Sequence, residues 1–211
     1  MTTSDTRSIR RAGIAGIVGG ALTALSGAAV ATYVVPATDV PDTMWSYPWS
    51  SGALVPVSIA YAVLHGLVIV GLLGFARSGV AGDGRAARLG PMIAVAGTAI
   101  LLLAELLSIL IADQRMDDTG PMLVGACFGV GTIVSAVGFL VAGGATVAAR
   151  RWDGWRRFTP LATGIWLVAM IVLVNTAALA ASVTVYGGLL VALGVALATQ
   201  PAPRAVQPEQ V

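Results

Sequence analysis

Two ionisable side chains lie deep inside apolar sequence in this 211-residue chain: His65, which is its single histidine, and Glu105. Ionisable groups are costly in hydrocarbon, so each is a candidate for chemistry, either as part of a proton relay or as a ligand for a small polar molecule. Ser58, Tyr61 and His65 recur at spacings of three and four, which places them on one face of a helix. Thr98, Glu105 and Ser108 share a face of the next apolar stretch. With a helical rise of about 1.5 Å per residue, His65 lies roughly 18 Å and Glu105 roughly 10 Å from the outer edge of their segments. Glu105 is then nearer the level of Tyr61 than of His65. The expected arrangement is a Glu105–Tyr61 hydrogen bond with His65 one turn below. Asn175 and Thr184, near the outer ends of later segments, could join it. The candidate pocket is therefore Ser58, Tyr61, His65, Glu105, Ser108 and Asn175, opening away from the cytoplasm. The alternative use of the same groups is mechanical, as interhelical polar contacts that fasten helices together.

Several chemistries are excluded by residue type. One imidazole cannot form a bis-histidine haem site or a histidine-rich metal site. HExxH, GxSxG and P-loop patterns are absent. No aspartate falls inside an apolar segment, which excludes a paired-aspartate intramembrane protease. The one cysteine, Cys127, excludes an intrachain disulfide and CxxC chemistry. Asp113, Asp117 and Asp118 beside Arg115 read as a solvated loop. No metal and no cofactor is expected.

The elements that must hold these groups follow from composition. Hydrophobic residues make up 57% of the chain and charged ones 10%, where a soluble domain carries about 25% charged residues. With a mean hydropathy of +0.87, most of the backbone must lie in lipid or against lipid-facing helices. All twelve basic residues are arginine, and they cluster at the ends of apolar runs. That placement marks orientation signals, not a nucleic-acid surface. The expected fold is all-α: a polytopic transmembrane bundle with spans at about 13–35, 53–75, 91–112, 121–149, 160–177 and 180–198. Residues 1–11 form a cytoplasmic N-terminal segment, 12–199 a single six-helix domain, and 200–211 a disordered cytoplasmic tail. The first run could instead be a signal peptide cleaved at Ala29-Val30-Ala31. An uncleaved helix is expected, because the run continues to Val35. Threading six spans with both termini cytoplasmic puts eleven of the twelve arginines on one side and Arg115 alone on the other, as the positive-inside rule requires.

Aromatic residues fit the same frame, with Trp45, Tyr47 and Trp49 at the outer boundary and Trp152 and Trp155 at the inner one. The outer trio is either an interfacial anchor or a lid over a pocket mouth. Gly16–Gly20 and Gly125–Gly129 form GxxxG pairs suited to close helix approach. The first helix of each half is glycine-rich, but no further residues match, so no inverted repeat is expected.

Several features between residues 10 and 80 occur in a fixed order: an arginine-tipped N-terminus, a glycine-rich span and Trp45-Ser46-Tyr47-Pro48. Tyr61-Ala62-Val63-Leu64-His65-Gly66 and Gly71-Leu72-Leu73-Gly74 follow, before an Arg77-Ser78-Gly79 turn. This order resembles small multi-span integral membrane proteins of actinobacteria. The resemblance implies a bacterial source. That group has no demonstrated activity, so no residue role carries over. The expected function is a non-enzymatic structural or accessory subunit of the cytoplasmic membrane. Its partners would be the lipid bilayer and an unidentified membrane protein or a second copy of the chain. Two alternatives stay open: a small-molecule or proton-linked transporter or sensor using the outward-facing pocket, and an intramembrane enzyme acting on a lipid or quinone.

Overall fold

The structure, a computed structural model, describes residues 3–173, 176 and 178–200. The described chain is all-helical, and six of its helices are long and apolar enough to cross a membrane. Helix α1 spans Thr3–Ala29 and continues through a π turn at Val30–Val34 and a short piece at Val35–Ala37. The wider turn falls where Pro36, lacking an N–H, cannot complete the regular ladder. Helix α2 (Ser51–Ser78) starts at Ser50, whose side chain accepts the Ala53 N–H, and stops at Gly79 in the left-handed region. Helix α3 spans Arg85–Ser108 and tightens into a 3₁₀ turn at Ile109–Ile111. It begins six residues before Pro91, where the span was expected to open. Pro91 is tolerated there, fully buried in the packed face of the helix. Helix α4 is Thr119–Ala149, α5 is Thr159–Leu173 after a 3₁₀ turn at Gly154–Phe158, and α6 is Leu179–Ala198. The fifteen residues of α5 rise only about 23 Å, so the 3₁₀ turn is needed to complete that crossing. The expected tail beyond Gln200 lies outside the described residues.

Each helix packs against the next, and α6 returns to α1, so the six form a closed ring. The two most extensive contacts are α1 with α6 and α3 with α4. Both use the same device. On α1, Gly13 faces Gly194 and Ala198, Gly20 faces Gly187 and Val191, and Gly27 faces Thr184. A methyl added to Gly194 would come within 2.7 Å of the Ile17 nitrogen and 2.8 Å of the Gly13 carbonyl. On the other side of the ring, a methyl on Gly97 would strike the Ser135 nitrogen and approach the Gly131 carbonyl to 2.8 Å, and Gly138 abuts Ala94. In both pairs glycines recur every seventh residue, the repeat of a shallow left-handed crossing. The expected Gly125–Gly129 pair is not the one used. Gly129 is exposed with open space around it, and Gly131 and Gly138 make the contact instead. The likeness stops at the pairs. Helix α2 lies against Ala12, Gly16 and Gly19 of α1, whereas α5 lies against Leu140 and Gly143 of α4, which are not equivalent positions.

The apolar core fills the half of the ring nearer the arginine-rich end, around Leu72, Phe75, Phe139, Leu167 and Leu197. Trp152, expected at the membrane boundary, is 3% exposed and sits on Phe75 with ring centroids 5.9 Å apart. Arg150 takes a left-handed conformation (φ 51°), and Arg151 bonds the Gly79 carbonyl and the Asp83 carboxylate. That reversal turns Trp152 inward as a plug. Trp155 is 54% exposed, in keeping with a boundary position.

Candidate functional site

At the opposite end, the 38–50 loop is pinned to the α3–α4 turn. Met44 and Arg115 form an antiparallel bridge. The Trp45 N–H donates to Gln114 at 3.0 Å, and the Met116 N–H to Thr43 at 2.8 Å. Trp45 packs on Phe128, centroids 6.3 Å apart, in a small cluster with Ala104, Leu107, Ile111 and Val124. Tyr47 and Trp49 are half-buried, and Ser46 is buried. The loop thus holds Trp45 against the adjoining ends of α3 and α4, and backbone pairing fixes it there.

Below it, the candidate polar groups divide. Tyr61 approaches Ser26 of α1 and lies within electrostatic reach of Glu105. These three residues bring α1, α2 and α3 together. The expected Tyr61–Glu105 hydrogen bond is not made among the described residues. Glu105 is half-buried and makes no hydrogen bond or ion pair among the described residues. His65, one turn deeper, is half-buried, and its Nδ1 lies 2.9 Å from the Tyr61 carbonyl. A carbonyl only accepts, so Nδ1 carries the proton, and in the neutral ring Nε2 keeps a free lone pair. Ser58 is buried on the same side of α2.

Ser108 spends its proton within its own helix. It is buried on the stripe that carries Gly90, Gly97 and Ala104 of α3, and its hydroxyl donates to the Ala104 carbonyl at 2.9 Å. Thr98 does the same with Ala94. Such back-bonding uses the hydroxyl's one proton within its own helix and leaves the oxygen only as an acceptor. Asn175 lies outside the described residues. Sequence reasoning missed Ser26, hidden in a glycine-rich run, and Tyr186. Tyr186 is 6% exposed, and its hydroxyl has no hydrogen-bond partner among the described residues. Gly187 packs on Ala24, whereas Gly19 packs near Leu64, which puts Tyr186 nearer the depth of Tyr61 than of His65. A tyrosine inside an apolar span was the signal available for it. Among the described residues, no group of three or more His, Cys, Asp or Glu side chains is placed to hold a metal ion.

The chain matches no protein-family model, no curated protein and no solved structure. The site therefore stands on its own chemistry: one carboxyl group, one imidazole and one phenol, spread over about one helical turn.

Proposed function

We propose that this protein is a non-enzymatic, structurally static component of the cytoplasmic membrane that works by association, with its arginine-rich end and both termini in the cytoplasm. The observation that carries this reading is the pair of glycine contacts. Backbone meets backbone along α1–α6 and again along α3–α4, with no space for one helix to slide past the other. Rocking or sliding of helices is what a carrier of this size would need. The loop tied across the outer end and the Trp152 plug at the inner end support the same reading.

A second reading, a proton-linked carrier or sensor, is favoured by one observation, the carboxyl group of Glu105 with no hydrogen bond or ion pair near Tyr61. Spin labels separate the two. Tyr33→Cys and Leu110→Cys, at 73% and 76% exposed positions near the outer ends of α1 and α3, would be labelled in a Cys127→Ser background and measured in vesicles. The static reading expects one narrow distance that is the same under acidic and alkaline conditions. A bimodal distribution that shifts with pH, and stops shifting in Glu105→Gln, would replace it with the second reading.

A further inference from the structure

Near the arginine-rich end, α1 and α2 leave between them a cavity of about 540 Å³ on the outside of the ring. Its rim carries Arg7 and Arg11, one helical turn apart on α1, and Arg77 at the end of α2. Its floor is apolar, made by Val70, Leu73 and the bare backbone of Gly74. A methyl at Gly74 would collide with Ala12, so the glycine that creates the floor also lets the two helices close beneath it.

Charge defines the rim of this cavity. Three other arginines have partners within the protein: Arg151 pairs with Asp83, Arg115 with Asp117 at 3.4 Å, and Arg157 lies over the Phe158 ring at 4.6 Å. Arg7, Arg11 and Arg77 make no ion pair or hydrogen bond among the described residues, and no acidic residue lines the cavity. Three convergent guanidinium groups favour a phosphate, which they can grip through paired N–H donors. An apolar floor directly below favours a hydrocarbon chain. One molecule combines the two in that order, and it is a constituent of the leaflet at that level.

We infer that this cavity is a binding site for an anionic phospholipid. The phosphate sits among Arg7, Arg11 and Arg77, and one acyl chain runs along Val70, Leu73 and Gly74. The occupant is a membrane lipid, not a free anion, because the floor would otherwise be left against water.

The test is native mass spectrometry of the purified full-length protein, titrated with phosphatidylglycerol and, separately, with phosphatidylcholine of the same acyl chains. The expected result is at least about a tenfold preference for phosphatidylglycerol, lost in Arg7→Gln/Arg11→Gln/Arg77→Gln. Arg85→Gln/Arg88→Gln, which removes charge at the same end of the molecule from α3, should keep the preference. Because arginine removal can disturb insertion, Val70→Trp serves as a second variant. It fills the floor and leaves every charge in place, and it should also lose phosphatidylglycerol. Equal binding of the two lipids, retention of the preference in the triple variant, or retention of binding in Val70→Trp would each overturn the site. Competition by inorganic phosphate as effective as that by phosphatidylglycerol would overturn the lipid as its occupant.

Discussion

At the scale of single residues, the polar groups of this protein sort by whether their own helix satisfies them. Thr98, Ser108, Thr146 and Thr163 each donate to a carbonyl four residues back. Glu105 has no such partner. A partnerless carboxyl group in a half-buried setting contributes no ion pair that its removal would break, and an amide of the same shape is cheaper to hold there. Glu105→Gln should therefore leave the thermal midpoint in detergent, followed by tryptophan fluorescence, unchanged or raised. A loss of more than about 2 kcal/mol, the range for breaking a hydrogen bond to a charged group, would show that the carboxylate holds the bundle together. His65 and Tyr61 were legible as a pair on one face because a spacing of four is a property of the helix alone. Ser26 was not, since only the tertiary fold brings it to Tyr61.

At the scale of elements, glycine is the residue that matters, and its position decides its role. A methyl on Gly138 would overlap the Ala94 backbone, whereas Gly129, nine residues nearer the start of the same helix, has nothing within 4 Å. Gly138→Ala should cost about 1–3 kcal/mol through overpacking. Gly129→Ala should be neutral or stabilising by up to about 1 kcal/mol, because alanine is the better helix former. Chemical unfolding of the two variants in the same detergent checks the contrast, and equal effects would undo the account of α3–α4 packing. The GxxxG pattern pointed at Gly125–Gly129, and the structure uses a seven-residue repeat. Spacing alone cannot tell which face of a glycine-rich helix meets a neighbour, since both repeats are present in the string. Helix ends were read to within a few residues except at the start of α1, which begins ten residues before the expected span, and at Pro91, where proline was taken for a start and sits instead inside the helix.

At the scale of the whole molecule, the ring of six helices brings both ends of the described chain to one side: Gly13 of α1 packs against Ala198 of α6. Arginine placement then fixes which side is cytoplasmic in the proposed orientation. Cysteines introduced in turn at Trp49 and Trp155, in the Cys127→Ser background, should react with a membrane-impermeant maleimide from opposite faces of intact vesicles. Labelling of both from one face would invalidate the threading. The same arrangement explains why the arginines have different fates. Most serve orientation in open solvent, Arg151 is drawn into a turn that buries Trp152, and Arg7, Arg11 and Arg77 converge because α1 and α2 are neighbours in the ring.

From the order of residues alone come the class of the protein, the number of crossings, the same-side termini and the two ionisable groups worth testing. Each of these depends on local hydrophobicity, on helical period or on the cost of charge in hydrocarbon, and none needs to know which helix touches which. Tertiary structure alone decided that α6 closes on α1 and that the glycines pair at intervals of seven. It also decided that Trp152 points inward and that three distant arginines share one cavity. Contacts between segments far apart in the chain depend on the shapes of both partners at once, and a single string of residues states only one shape at a time.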